Sequence, residues 1–460
     1  MDIMPEPPLA CLQALPDPAS VEVRETHISW VLLAGEFAYK IKKPVTLPFL
    51  DYGTVEKRRF FCQEELRLNR RFAPELYLAV VDLGGEPAVK MRRFDETQQL
   101  DQVCRRGGLT QDHLSRFARE LAGFQRGAAR AASAFGTPEG VRADALENFD
   151  ELERLLPAEA ALLARLRAWT ETEWLRRRGE FQHRHAGGFI REGHGDLHLR
   201  NLVLLDDRIV AFDGIEFNAD FRCIDVASEI AFTLLDLLDH DQPGLATWLL
   251  NEWLVWSGDF AALALLRFYL VYRAMVRAKV AALSGHAAEA NGYLAKGLRL
   301  TAPPPPRLAI TCGPSGCGKT YVTSCRLASA EFLTTVRVRS DVERKRLFGL
   351  APDAASGGTI YTPEANARTY GRLAELAEAI LRDGWSVIVD AAFLRRTERD
   401  HFRGLAWRLG VPFELIAPQA SPDELARRIA ARRNDASEAT VEVMQQQLRW
   451  FEPPGEDERV

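Results

Sequence analysis

The chain has 460 residues, 47% of them hydrophobic and 27% charged, with a formal net charge of −5. Such a length exceeds one ordinary core, so two or three domains of a soluble globular protein are expected. The slight acidic balance argues against binding nucleic acid or an anionic membrane with the whole surface, although a local basic patch stays open.

The N-terminus, MDIMPEPPLA, has no basic stretch followed by an apolar core, so no secretory signal is expected. Residues 20–95 look strand-rich with one helix. Ile28–Ala34 and Phe37–Lys43 flank Gly35-Glu36 as a hairpin, Val55–Phe72 is a charged amphipathic helix, and Leu76–Leu83 with Ala88–Phe94 flanks Gly84-Gly85 as a second hairpin. The chain is then mostly helical to residue 300, with one β-like stretch, Leu202–Phe212, split at Asp206-Asp207. The longest apolar run, Phe260–Val276, contains Arg267 and Arg273 and reads as a buried helix rather than a membrane span. A small β-rich lobe ahead of a helical lobe predicts a bilobal α+β layout with a nucleotide cleft between the lobes.

In the helical part, His194-Gly-Asp196-Leu-His-Leu-Arg-Asn201 has the spacing HxDxxxxN. Asp196 would accept the proton of an acceptor hydroxyl, and Asn201 would reach a Mg²⁺ beside it. The following hairpin would deliver Asp213 to the same cleft as the second metal ligand. A carboxylate, an amide and a hairpin-delivered carboxylate suit hard cations that bridge phosphates. Asp225 reads as a brace for this segment. On the late helix, Arg273 and Arg277 stand four apart on one face, an arrangement that would suit an anionic or neutral acceptor, with a solvated helix face as the preferred, plainer reading.

Thr301-Ala-Pro-Pro-Pro-Pro306 is the clearest seam, since consecutive prolines form a stiff spacer without hydrogen-bond donors. Beyond it, strand candidates Leu308–Cys312, Thr335–Arg339, Ser386–Val389 and Phe413–Ala417 alternate with helices from about Lys319, Pro363, Thr397, Pro422 and Thr440. That alternation predicts an α/β domain with a mostly parallel sheet.

Gly313-Pro-Ser-Gly316-Cys-Gly318-Lys319-Thr320 matches GxxxxGK[ST] between an apolar strand and a helix. The glycines turn backbone N–H groups toward phosphate oxygens, Lys319 faces the β- and γ-phosphates, and Thr320 would ligate Mg²⁺. Asp341 and Asp390 close strand candidates, where one could activate an acceptor hydroxyl and the other hold Mg²⁺ through water; helix N-capping is the plainer alternative. Arg427, Arg428, Arg432 and Arg433 share a predicted helix and could close over phosphates, against the plainer reading of a solvated basic face. The seven cysteines, Cys11, Cys62, Cys104, Cys223, Cys312, Cys317 and Cys325, offer no CxxC spacing and fit reduced thiols in the cytoplasm.

The HGD triplet, Asn201 and Asp213 resemble the aminoglycoside phosphotransferase-like kinases, over residues 20–300. That resemblance implies that Lys40 grips the α- and β-phosphates, with Lys42 on the same strand face as its rival. Ala38 would cap the adenine, and Met91–Phe94 would lead into the hinge. The lysine's partner would be Glu64 or Glu65, with Glu65 preferred. No GxGxxG precedes Lys40, and Gly214 follows Asp213 directly, so DFG is not reproduced and activation-loop control is not implied.

Residues 307–460 resemble the P-loop small-molecule and polynucleotide kinases, which include zeta-toxin-like and gluconate-kinase-like enzymes. This implies Asp341 as general base with Arg344 three residues on, Asp390 as the third-strand acid, and Arg432 or Arg433 as a lid arginine. Together the chain resembles fused aminoglycoside phosphotransferase-like and P-loop ATP-binding proteins. The expected division is 1–300, linker 301–306, and 307–460. The expected activity is an ATP- and Mg²⁺-dependent phosphotransferase with two sites, each acting on a hydroxyl of a small molecule, with GTP as the alternative nucleotide. Rival readings are one active kinase beside a regulatory nucleotide-binding module, a nucleic-acid end kinase using the basic residues around 337–346, and an ATP-dependent scaffold. The nucleic-acid reading ranks lower because few aromatics interleave with those basic residues.

Overall fold

The computed structural model describes residues 7–47, 50–356, 360–431 and 437–458. The chain forms two compact units: Met1–Phe117, Gly127–Glu151 and Glu171–His240 make the first; Ala118–Arg126, Leu152–Thr170 and Asp241–Val460 make the second. The proline run 301–306 therefore lies inside the second unit.

The first unit is α+β. Its sheet runs in the order Glu22–Glu25, Ser29–Ala34, Phe37–Lys42, Glu86–Arg92, Tyr77–Leu83, with every neighbouring pair antiparallel. Both predicted hairpins are present, and the strand Glu22–Glu25 adds an edge that the sequence pattern did not mark. Alternation assigns the two faces. Trp30, Leu32, Tyr39 and Ile41 pack with Cys11, Leu15, Leu83 and Ala88 on one side. Ala38, Lys40 and Lys42 belong to the other face, the one on which Val89 and Tyr77 pack against Cys62, Val203 and Val210. The helix Val55–Asn69 starts at Thr54, whose hydroxyl accepts from Lys57 N–H. It buries Cys62, Glu65 and Asn69, spaced three and four apart on one face. Later in the chain, the hairpin Leu202–Leu205 and Arg208–Ala211 turns at Asp206 (φ +45°) and Asp207 (φ +63°), the left-handed pair of a two-residue turn that matches strand twist. His113 and Arg116 hold Asp207 at 2.6 and 2.7 Å.

The second unit carries a four-stranded, wholly parallel sheet in the order Thr335–Arg339, Ser386–Asp390, Leu308–Thr311, Phe413–Ile416. The two central strands are buried at every position, as strands covered on both faces must be. Helices Lys319–Ala328, Pro363–Arg382, Arg396–Leu409, Pro422–Ala431 and Val441–Trp450 occupy the predicted stretches. One helix was not predicted: Ser340–Leu347, read from sequence only as a basic run. The unit also contains helices Pro243–Ser257, Leu263–Leu283 and Ala287–Thr301. Trp248 joins a cluster of Ala309, Leu327, Ile388 and Ile416, and Trp385 Nε1 donates to the Leu263 carbonyl at 3.0 Å. No helix among the described residues is long and apolar enough to cross a membrane. The expected basic face of Leu263–Leu283 needs correction: Arg273 is buried, and Arg277 donates to the Tyr293 hydroxyl at 3.2 Å instead of lying open. These two arginines are part of the helical packing, so they do not speak for an anionic acceptor.

Candidate functional site

In the first unit the two strand lysines meet one carboxylate. Lys40 Nζ donates to Glu65 Oε1 at 2.9 Å and to Asp213 Oδ1 at 2.5 Å. Lys42 Nζ donates to the other Glu65 oxygen at 2.8 Å, to Glu216, and to the Tyr52 hydroxyl at 3.3 Å; Tyr52 in turn donates to Glu216 at 2.5 Å. Glu65, rather than Glu64, reaches the lysines; Glu64 is held by Arg67 on the helix surface. Lys42 is fully enclosed, so it does not compete with Lys40 for an open position. Burial pulls both lysines down, but Asp213 and Glu65 outweigh it at Lys40, and Glu216 and Glu65 at Lys42, so both stay well above the ordinary lysine range. For Glu65, burial pushes upward and the two ammonium groups overcome it, holding the carboxyl down at about 2. Sequence reading missed Tyr52 and Glu216; neither belongs to a motif.

The HGD segment is fixed from several sides. Gly195 has φ +86°, and a Cβ there would stand 2.6 Å from the Phe221 carbonyl oxygen, so only glycine fits. Burial lowers the His194 pKa and favours a neutral ring. With the proton on Nε2, that nitrogen donates to the Phe212 carbonyl at 2.8 Å while Nδ1 accepts from Asp196 N–H at 3.3 Å. One imidazole thus ties the Asp196 loop to the residue before Asp213. The helix Val226–Asp239 adds Glu229, which accepts from His194 N–H at 2.5 Å, and Asp236, which accepts from Leu199 N–H at 2.9 Å. Asn201 Nδ2 donates to both the carbonyl and Oδ2 of Asp196 at 3.0 Å, and Phe212 N–H donates to the Asn201 carbonyl. His198 Nε2 stands 3.3 Å from Asp196 Oδ2. Asp213 has φ +61°, with its N–H on the Tyr77 hydroxyl at 2.9 Å. Asp225 is bracketed by Arg184 at 2.7 and 2.8 Å and caps the next helix through Ala227 N–H.

The donor set fits Mg²⁺. Asn201 directs its amide nitrogen at Asp196, which leaves Oδ1 for a cation, and Asp213 keeps Oδ2 beyond the oxygen that Lys40 takes. Among the described residues no group of three or more His, Cys, Asp and Glu could hold a metal by itself. Two oxygen donors are what a Mg²⁺ site needs when phosphates and water complete the octahedron.

In the second unit the loop 313–320 follows the central strand and opens the helix Lys319–Ala328. Gly313, Gly316 and Gly318 take φ of +136°, +87° and +99°, conformations that glycine adopts without strain, and Gly313 N–H donates to the Ala392 carbonyl at 2.9 Å. Lys319 Nζ donates to the Gly313 and Pro314 carbonyls at 2.8 and 2.9 Å, which curls the side chain over the loop. Thr320 lies in the first turn of the helix. Asp390 ends the neighbouring strand, buried, near Thr311 Oγ1 and Thr323 Oγ1 at 3.5 and 3.4 Å. Asp341 lies in the first turn of Ser340–Leu347, beside Tyr361 and Tyr370; burial first and the Asp341 charge next push the Tyr361 hydroxyl up to about 12. Arg344 is buried on that helix, donating to Asn366 Oδ1 at 2.7 Å and lying over the Tyr361 ring. Arg432 and its alternate Arg433 lie outside the described residues. Arg428, on the helix Pro422–Ala431, donates to the Gly316 carbonyl at 3.4 Å, and Gln447 accepts from Ser315 N–H at 2.7 Å. Gln447 carries no signal in sequence, because only the packing of Val441–Trp450 on the loop brings it there.

The basic run that supported a nucleic-acid surface is consumed internally. Arg337 faces Glu252, Lys345 pairs with Glu438 at 3.1 Å, and Arg346 pairs with Glu343.

Fold and sites together define a chain with a kinase-like α+β part and a P-loop α/β part. The chain belongs to the family of the uncharacterized protein Rv2004c of Mycobacterium tuberculosis (strain ATCC 25618 / H37Rv), with 30% identity over 445 residues, 93% of this chain and 89% of that protein. The AAA domain family model matches residues 308–454. Among solved structures, the GDP and kanamycin complex of APH(2")-IIIa is similar over 64% of this chain and 96% of its own, with 14% identity and a TM-score of 0.40. A gluconokinase from Sinorhizobium meliloti 1021 is similar over 34% of this chain and 81% of its own, with 21% identity and a TM-score of 0.25.

Proposed function

We propose that the chain is a bifunctional ATP- and Mg²⁺-dependent phosphotransferase, each unit moving the γ-phosphate to a hydroxyl of a small-molecule acceptor. The observation that carries this reading is the meeting of Lys40 with both Glu65 and Asp213, while His194 ties Asp213's neighbour to Asp196. A fixed ammonium at the nucleotide phosphates, two oxygen donors for a cation, and a carboxylate beside them are the parts a phosphoryl transfer needs. Asp196, oriented by Asn201, accepts the acceptor's proton; Lys40 positions the phosphates. A bound Mg²⁺ would neutralise charge on the transferring group.

In the second unit the loop N–H groups, Lys319 and the helix start would receive the phosphates, Asp341 would serve as base, and Asp390 with Thr320 would hold a bound cation. Arg432 is the closing arginine of this reading, and Arg428 stands against the loop at the Gly316 carbonyl. A small-molecule acceptor is preferred to nucleic acid because Arg337, Lys345 and Arg346 are occupied by Glu252, Glu438 and Glu343. Seven free cysteines fit a reducing cytoplasm.

The test is γ-labelled ATP with a metabolite extract and Mg²⁺, run on wild type, Asp196→Asn and Asp341→Asn. Each variant should lose a different labelled product by at least about a hundredfold, the scale of a removed general base. Identical product patterns from all three proteins would sink the two-site assignment.

A further inference from the structure

The strand Thr335–Arg339 is an edge of the parallel sheet, and the helix Pro243–Ser257 closes it with a side-chain amide. Asn251 Oδ1 accepts from Arg337 N–H at 2.6 Å, and Asn251 Nδ2 donates to the Thr335 carbonyl at 3.0 Å. One amide supplies an acceptor and a donor to the strand, as a neighbouring strand would. The adjacent residue, Glu252, stands 3.9 Å from Arg337 Nη2. At its other nitrogen, Arg337 donates to Ser324 Oγ at 2.8 Å and Thr323 Oγ1 at 3.2 Å, and lies 3.5 Å from the Thr320 carbonyl. Thr323 is fully buried and stands 3.1 Å from the Thr320 carbonyl and 3.4 Å from Asp390 Oδ2. A continuous chain of contacts thus runs from Glu252 through Arg337 to Thr320, Thr323 and Asp390.

Burying a guanidinium costs several kcal/mol unless it is paired and fully bonded, so an apolar residue would serve the sheet edge at less cost. Arg337 does more than fill space. Its planar fork splits between two sides: Nη1 faces two hydroxyls and one carbonyl in the first turns of the helix that begins with Lys319 and Thr320, and Nη2 faces Glu252. It also places a permanent positive charge behind the phosphate-binding helix start.

We propose that Arg337 is a positioning residue of the phosphate-binding loop, set in place by Asn251 and Glu252 of the helix Pro243–Ser257. This rests on the reading of the loop as a Mg²⁺·nucleotide site. Arg337 touches no substrate; it acts on the Thr320 turn and, through Thr323, on Asp390. The helix Pro243–Ser257 is therefore part of the loop's machinery even though it precedes the proline run.

The test uses the full chain carrying Lys40→Ala, so that nucleotide binding reports the loop, with a fluorescent ATP analogue titrated in the presence and absence of Mg²⁺. Lys319→Ala in the same background checks the underlying reading: undiminished binding there would overturn the loop assignment itself. Arg337→Met and Glu252→Gln should each weaken Mg²⁺-dependent binding by about tenfold, with a smaller loss when Mg²⁺ is absent. Arg337→Lys should recover part of that loss, because it keeps the charge without the fork. If Arg337→Met fails to fold by thermal melt, Glu252→Gln and Arg337→Lys carry the comparison. Folded variants whose Mg²⁺-dependent affinity stays within about twofold of the parent, or that lose affinity equally with and without Mg²⁺, would overturn the proposal.

Discussion

Two lysines two positions apart on one strand share a single glutamate, and each oxygen of Glu65 answers one of them. The Lys40 half of this arrangement was legible, because a strand lysine followed by an acidic helix is a recognisable order. The Lys42 half was not. A lysine on a strand reads as an exposed edge charge, and its partners Glu216 and Tyr52 come from segments that only folding brings near. The shared carboxylate has a pH consequence. Its folded pKa, about 2, lies below the ordinary glutamate value of 4.5. A depressed carboxyl contributes stability that is present above the unfolded pKa and is lost as pH falls toward the folded one. Wild type should therefore exceed Glu65→Gln in unfolding free energy at neutral pH by a margin on the order of 3 kcal/mol. That margin should shrink between pH 4.5 and 2, as denaturant titrations across pH would show. A margin that holds constant down to pH 2 would mean that the two lysines do not hold Glu65 ionised.

At the scale of elements, alternating apolar strands and capped helices of the second unit were legible nearly to their ends. The Gly-rich loop was legible as well, since its spacing is a backbone requirement written directly in residue types. The helix Ser340–Leu347 was not: its sequence, SDVERKRL, has almost no apolar pattern, and it is held by an ion pair to Glu438 and hydrogen bonds to Asn366 and the Val255 carbonyl, distant parts of the chain. The loop's shape depends on what packs behind it. Cys317 belongs to a cluster with Leu425 and Met444, and Gly316, at φ +87°, would carry a Cβ 2.8 Å from the Leu425 carbonyl oxygen. That neighbour is backbone and cannot step aside. Gly316→Ala should thus displace the loop or the helix Pro422–Ala431, cost about 1–3 kcal/mol, and abolish nucleotide binding in the second unit. First-unit turnover, lost in Asp196→Asn, should persist in this variant. Wild-type nucleotide affinity in Gly316→Ala would show that the loop reaches its binding shape without that close approach.

For the whole molecule, the proline run promised a boundary that packing does not respect. Sequence marks stiffness and a change of pattern, whereas membership of a compact unit depends on which surfaces are buried together, and that is set by side chains far apart in the chain. Helices Pro243–Ser257 and Leu263–Leu283 precede the prolines yet cover the parallel sheet: Trp248 packs on Ala309, Leu327, Ile388 and Ile416; Asn251 closes the edge strand; and the Leu263 carbonyl takes the Trp385 indole N–H. Gly244 approaches the Lys319–Ala328 helix so closely that a Cβ would stand 2.0 Å from the Ala328 carbonyl oxygen. A fragment beginning at residue 307 would uncover the Trp248 side of that cluster, orphan two backbone groups of the edge strand and leave Arg337 buried without Glu252. Unpaired edges and exposed apolar surface favour association between chains. Such a fragment should be recovered mainly as aggregate, or should bind a hydrophobic dye and melt broadly where the full chain melts cooperatively. A soluble, monomeric fragment from 307 with a sharp melt and intact nucleotide binding would show instead that the sheet stands without its covering helices, and would return the boundary to the prolines.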